Sequence, residues 1–209
     1  MSKVVGQYRV RVQVSGRYVK ITNYDFPQFI SEGVKVEKGG GKKEASDKEK
    51  LARDARKRAV QKVFRLSLSN EADLSKFVTL TIKNPGITSV REAYPLFSGF
   101  IKRLKKNEGL NQHDLRYLGV PELQKRGTVH FHVMVDCRYI PQAVLARNWR
   151  QGSVCINSIE DKVHVGRYMA KYMLKKGLSE GMYEKHNKYY VKSLALKDRS
   201  SIVRFDLGD

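Results

Sequence analysis

Acidic residues are scarce in this chain: 21 Asp and Glu stand against 41 Lys and Arg over 209 residues, a formal net charge of +20. A deficit of that size excludes a protein whose overall field attracts cations, and it points to a polyanionic partner, nucleic acid first. Cysteine is nearly absent. Cys137 and Cys155 show no pairing pattern, which excludes a disulfide-built scaffold and fits a reducing compartment. No run approaches the roughly 18 consecutive apolar residues of a membrane span, and the N-terminus has no apolar leader region. No long basic amphipathic segment carries a Trp- or Phe-rich face, which disfavours an anionic membrane surface as the polyanion. The phosphate-cradling pattern Gly-x-x-x-x-Gly-Lys-Ser/Thr is also missing. The run Gly39-Gly40-Gly41-Lys42-Lys43 lacks both its leading spacing and its hydroxyl. What remains is an ordinary globular composition, 41% hydrophobic and 30% charged, long enough for one sizeable core and a smaller appendage. These features together favour a cytoplasmic nucleic-acid protein.

Residues 7–22 alternate apolar and basic around Ser15-Gly16, which predicts a β-hairpin whose polar face carries Arg9, Arg11, Gln13, Arg17 and Lys20. Residues 38–43 read as a flexible basic linker. Residues 44–66 follow as a charged helix with a modest apolar stripe of Leu51, Ala55, Ala59, Val60, Val63 and Phe64. Its cations, among them Arg53, Arg56, Lys57, Arg58, Lys62 and Arg65, suit either a solvated face or one that contacts phosphates. Strands are expected at 77–82, stopped by Asn84-Pro85-Gly86, at 115–120, at 129–136 and at 153–157. Helices are expected at 90–107, 141–149 and 162–176, the last ended by Gly177, with a final extended stretch at 189–194. Arg126-Gly127 turns 115–136 into an antiparallel hairpin. The chain then divides into an N-terminal hairpin and linker, 1–49, and a larger domain, 50–209, that includes the basic helix.

Three short segments carry chemistry. In the strand 129–136, side chains two apart share a face, so His130 and His132 point together while Val129, Phe131, Val133 and Val135 enter a core. Their Cα atoms are then roughly 6.5–7 Å apart, close enough for both rings to reach one ion. Glu122, on the other arm of the hairpin, can join them, and a Glu-His-His set with open positions suits Mg²⁺ or Mn²⁺ bridged by phosphate oxygens. The plainer readings are two polar-face histidines and an exposed turn carboxylate. A zinc site of His130, His132 and Cys137 is a weaker alternative, since Cys137 falls on the opposite strand face. In Tyr168-Met169-Ala170-Lys171-Tyr172-Met173-Leu174-Lys175, helical spacing places Tyr168 and Tyr172 on one face, with Lys171 and Lys175 beside them. A phenol is a poor nucleophile at neutral pH, and ammonium groups and a metal would favour phenolate. The plainer reading is an aromatic core helix with solvated lysines. Thr79 and Thr81 put two hydroxyls on one face of an apolar strand, where they contact DNA, line the metal pocket or simply satisfy strand propensity.

The order Phe77-Val78-Thr79-Leu80-Thr81, then His130-Phe131-His132, then the double-tyrosine helix resembles the three motifs of HUH endonucleases. Within them it is similar to the rolling-circle replication initiators (Rep proteins) of small bacterial plasmids and single-stranded DNA phages. Residues 120–132 resemble the second motif and its lead-in closely, and the similarity covers roughly 50–195. The resemblance implies an α+β fold, a central antiparallel sheet flanked by helices in an RRM-like, ferredoxin-type arrangement, here with an N-terminal hairpin extension. It implies His130, His132 and Glu122 as ligands of Mg²⁺ or Mn²⁺. It implies tyrosine attack on single-stranded or hairpin origin DNA, giving a 5′-phosphotyrosine and a free 3′-OH, with later strand transfer. Tyr172 is the expected first nucleophile and Tyr168 the second, and Lys171 and Lys175 assist. Family members of this arrangement carry a carboxylate where Tyr168 stands, a departure that opens a two-tyrosine mechanism. Lys125, Arg126, Arg56, Arg58, Thr79 and Thr81 are the expected DNA contacts. Without a motor of its own the protein would need a host helicase or supercoiling for unwinding, and a host polymerase to extend the free end. The hairpin and basic helix would recognise duplex or hairpin DNA. A relaxase or single-strand transposase would share the chemistry. A non-catalytic nucleic-acid-binding module would share only the basic patches and aromatics.

Overall fold

The computed structural model of the chain describes residues 4–31, 45–111, 113–124, 127–136, 139–160, 162–173 and 188–205. In order these form β1 (Val4–Ser15), β2 (Tyr18–Ser31), α1 (Ala45–Ser69), β3 (Lys76–Thr81), α2 (Val90–Asn107), β4 (Arg116–Leu123), β5 (Val129–Asp136), α3 (Gln142–Trp149), β6 (Val154–Ser158), α4 (Lys162–Tyr172), β7 (Val191–Lys192) and β8 (Ser201–Phe205). The fold is α+β: an antiparallel five-stranded sheet ordered β6-β3-β5-β4-β7, a three-stranded sheet ordered β2-β1-β8, and helices flanking them.

The strands with the strongest alternation sit at the centre. β3 and β5 pair antiparallel with Thr79 opposite His132 and Thr81 opposite His130. β5 pairs with β4 so that Val120 faces His132 and Glu122 faces His130. The alternation at 129–136 predicts one apolar and one polar face. Both faces are buried, and only Asp136 at the end of β5 is partly open. Val78, Leu80, Phe131, Val133 and Trp149 pack under α2 on one side. Leu118, Val120 and Met134 pack on the other side against Ala59, Val63 and Leu66 of α1 and Met169 and Tyr172 of α4. The histidines thus lie under helices at the rim of a second core, and Met134 is the one residue of the His row that signals it.

α2 forms as its spacing predicts. Ser89 and Glu92 make a capping box, and Val90, Ala93, Phe97, Phe100, Ile101 and Leu104 recur at helical intervals on the buried side. β4 runs three residues further than expected, through Pro121. Proline donates nothing to a ladder, but β7 pairs with Leu118 and Gly119, so among the described residues no strand pairs with Pro121 on the outer side of β4. Glu122 is therefore a strand residue rather than a turn carboxylate.

The N-terminal hairpin is longer than its sequence core, and it turns at Gly16-Arg17. Gly16 adopts φ +58°, and a Cβ there would come within 2.3 Å of the Leu68 carbonyl oxygen, so the tip docks on the end of α1. Arg17 Nε donates to Glu71 at 2.9 Å, and Tyr18 packs edge-on against Phe64. β8, which no sequence pattern announced, pairs with β1 from Val10 opposite Phe205 to Val14 opposite Ser201. The segment before β8 crosses α1, where Asp198 accepts from Lys62 at 2.8 Å and from Arg65 at 3.4 Å, and Asn70 donates to the Lys197 carbonyl. Among the described residues no helix is long and apolar enough to cross a membrane.

Candidate catalytic centre

Strand register assembles the site. In antiparallel sheets, directly paired residues project to the same side. The rows Thr79–His132–Val120 and Thr81–His130–Glu122 therefore stand side by side on the face that α1 and α4 cover. Glu122, His130 and His132 are all buried, at 6%, 8% and 5% exposure.

Each imidazole is held at Nδ1. Thr79 Oγ1 lies 3.3 Å from His132 Nδ1, and Gln124 Nε2 lies 3.0 Å from His130 Nδ1. His132 Nε2 bonds the Glu122 carboxylate at 2.6 Å. His130 Nε2 is buried and meets no hydrogen-bond partner among the described residues. Burial, and then the neighbouring His132, push the His130 pKa below its ordinary value, while Glu122 pulls the other way. The ring is thus neutral at physiological pH, as a metal ligand must be.

These observations bear on whether a divalent ion fits. Two rings oriented from behind by a hydroxyl and an amide, with their second nitrogens left for a carboxylate and for no partner, have the arrangement in which an outer group fixes each ligand. A buried orphan nitrogen is costly unless something binds it. The donor set of two imidazoles and one carboxylate suits Mn²⁺ or Mg²⁺ completed by phosphate oxygens. Among the described residues no three His, Cys, Asp or Glu side chains already surround one point. In this arrangement Glu122 and His132 bond each other instead.

The tyrosine helix closes over this face. Tyr172 lies flat on His132, with ring centroids 3.8 Å apart and 8° from parallel. Tyr168 meets Tyr172 edge-on at 4.6 Å, and their hydroxyls hydrogen-bond. Tyr172 is 8% exposed and Tyr168 45%, so one phenol sits inside and the other at the mouth. Burial chiefly, then the bond to Tyr168 and the nearby charges of Tyr168 and Glu122, hold the Tyr172 phenol well above its ordinary pKa. The expected activation by ammonium groups has no described counterpart. Lys175 lies outside the described residues, as does the side chain of Lys171. α4 approaches α1 closely because Gly166 leaves room: a Cβ there would sit 2.3 Å from Ser67 Oγ.

Of the expected DNA contacts, Thr79 and Thr81 are half-buried on the site face beside exposed Cys155, which pairs with Thr79 across β6. Arg58 is exposed on α1. Arg56 turns inward, and its Nε donates to the Met173 carbonyl at the end of α4. Lys125, Arg126 and Cys137 lie outside the described residues. Sequence reasoning missed two members. Gln124 holds His130, and Phe77 stacks on His132 at 5.7 Å while also meeting Tyr168 at 6.2 Å. Phe77 stands two residues before Thr79 on the same strand face, so the alternation that placed Thr79 and Thr81 also placed it.

Residues 75–177 match a family model described as replication-associated protein, of the ORF2 and gene-2-protein type. That stretch runs from just before β3 to beyond α4 and contains Thr79, Glu122, Gln124, His130, His132, Tyr168 and Tyr172. No curated protein and no solved structure matches the chain. The family match supports a role in replication initiation of the Rep type.

Proposed function

We propose that the protein is a rolling-circle replication initiator of the HUH kind, which nicks single-stranded origin DNA through a tyrosine and rejoins it by strand transfer. The observation that carries this reading is the contact of Tyr172 with His132, whose Nε2 is bonded to Glu122 within the stretch matched to the replication-associated family. His130, His132 and Glu122 would hold Mg²⁺ or Mn²⁺, which when bound withdraws charge from the scissile phosphate. Tyr172 Oη attacks phosphorus, the bond from phosphorus to the 3′ oxygen breaks, and that oxygen leaves as the 3′-OH after taking a proton. The 5′ side stays on the enzyme as phosphotyrosine. Tyr168, hydrogen-bonded to Tyr172 and open to solvent, would take part in proton movement and serve as the second nucleophile in strand transfer. Thr79, Thr81 and Arg58 would contact the DNA, and host helicase and polymerase would act on the free end.

The test uses origin-containing single strands labelled at the 5′ or the 3′ end, with Mn²⁺ or with EDTA, resolved on a denaturing protein gel. The expected result is a metal-dependent covalent band that carries only the 3′-labelled fragment. Binding without any such band on the cognate origin leaves a non-catalytic binding module as the function.

A further inference from the structure

The sheet face opposite the histidines carries a second opening. Along β4 the even positions, Leu118 to Glu122, face the tyrosine helix, while Tyr117 and Gly119 face α2. On that far side a groove of about 960 Å³ runs between α2 and the chain entering β7. Tyr94 and Tyr117 supply ring surface to it, and Lys102, Lys105 and Lys188 supply charge. No acidic side chain lines it among the described residues. Its two walls are tied together, since Tyr94 Oη donates to the Lys188 carbonyl. A fourth lysine, Lys192, holds the chain beyond β7, donating to the Ser193 carbonyl at 3.2 Å and the Leu196 carbonyl at 2.8 Å.

This site stands apart from the candidate catalytic centre. Tyr117 and Glu122 are five residues apart on one strand, or roughly 17 Å, and project to opposite sides of the sheet. The groove's chemistry is specific. Tyrosine rings offer stacking surfaces to unpaired bases, and lysines without carboxylates offer counter-charge to phosphates. A duplex with its bases stacked inside presents no base faces to such rings. The volume lies at the top of the roughly 300–1,000 Å³ that a single small ligand fills, and the groove is open, which suits a run of a chain more than one nucleotide.

We propose that the groove between α2 and β7 binds a segment of single-stranded DNA away from the scissile phosphate, with bases on Tyr94 and Tyr117 and phosphates on Lys102 and Lys105. The choice of DNA rests on the replication reading above, but the binding itself does not require cleavage. The groove anchors the strand on one side of the sheet while the tyrosines act on the other.

The test measures binding of fluorescein-labelled oligothymidylate to the full chain in EDTA, where no nicking occurs, with inorganic polyphosphate as a competitor. Lys102→Glu/Lys105→Glu is expected to lower affinity at least tenfold and to flatten the salt dependence by about 1.4 log units per log unit of salt, the share of two single-strand phosphate contacts. Tyr117→Ala is expected to lose about fivefold or more, the share of one stacked base, and Tyr117→Phe to restore it. Thermal melting of each variant reports on folding, and bromodeoxyuridine photocrosslinking of the unaltered protein reports independently, with adducts expected in 94–105 and 188–192. Affinity and salt slope unchanged in folded variants, with crosslinks elsewhere, would overturn the proposal. So would a Tyr117→Ala protein that binds as well as the parent while only the charge reversal weakens binding, since that describes a site for any polyanion. A parent protein that binds oligothymidylate through the groove but forms no covalent adduct on origin strands counts against the catalytic reading alone.

Discussion

His132 and Tyr172 stack with their rings parallel to within 8° and their centroids 3.8 Å apart, so the proposed ligand and the proposed nucleophile are one packed unit. Tyr172→Phe keeps that stack and removes only the oxygen. It should abolish the covalent adduct, a loss of at least about a thousandfold in rate, with little change in melting temperature. Tyr168→Phe removes a hydrogen bond that raises the Tyr172 pKa. Its residual nicking should therefore begin at lower pH than in the parent, because the Tyr172 phenolate becomes accessible earlier. A pH–rate profile displaced upward, or an adduct lost in Tyr168→Phe and kept in Tyr172→Phe, would reverse the two roles.

A buried His130 Nε2 without a hydrogen-bond partner among the described residues should take up a divalent ion with a gain in stability. At an ion concentration about a hundred times the dissociation constant the gain is about 2.7 kcal/mol. In a thermal-shift titration Mn²⁺ should raise Tm in the parent, and His130→Ala should remove most of that rise. Glu122→Gln should weaken it and also lower the metal-free Tm, since His132 then loses the carboxylate it holds at 2.6 Å. An identical Mn²⁺ response in parent and His130→Ala would place the ion elsewhere.

Gly166 sets the distance between the tyrosine helix and α1. In an unconstrained helix, Gly→Ala stabilises by up to about 1 kcal/mol. Here the new methyl would stand 2.3 Å from Ser67 Oγ, and overpacking of that kind costs about 1–3 kcal/mol. Gly166→Ala should therefore lower stability in denaturant melts, and Ser67→Ala introduced with it should return part of the loss. A stabilised single variant would mean that the helices part without cost.

Asp198 joins the chain before β8 to α1. Burial acts to raise its pKa, but the hydrogen bonds from Lys62 and Ser200 and the charge of Lys62 outweigh it, so the carboxylate is held below the ordinary value near 3.8. A depressed carboxylate contributes stability that is fully present above its unfolded pKa and is lost as pH falls through the folded one. Amide exchange in β8 should therefore accelerate below about pH 4. Asp198→Asn should exchange faster already at neutral pH, at a cost of about 1 kcal/mol once solvent screening is allowed for. Exchange in β8 that ignores both changes would detach this ion pair from the strand's stability.

Periodic segments were legible in the sequence. The alternation at 77–82 and 129–136, the helical spacing at 90–107 and the Gly turn after Ser15 each announce an element that forms where expected, because each element's own burial pattern selects it. The order of Thr, His and Tyr segments grouped residues that register and packing do place side by side. What escaped has physical reasons. β8 is exposed along its whole length, so no apolar alternation marks it, and its partner lies near the other end of the chain. The covering of the His face by α1 and α4 is a tertiary fact, and within β5 only Met134 hints at it. β4 continues through a proline that local rules would treat as a stop. Gln124 has no motif role, and only the turn that brings it under His130 gives it one.

The pairing of β8 with β1 links Val10 to Phe205. The ribosome therefore releases β1 and β2 long before β8, the strand that completes their sheet. Contacts of such long sequence separation form slowly. Until they form, β1 offers an open edge of unpaired backbone groups, with Val19 and Ile21 of β2 exposed nearby, a template on which nascent neighbours can pair. Expression yield and aggregation during translation should therefore depend on β8 more than its five residues of sheet would suggest.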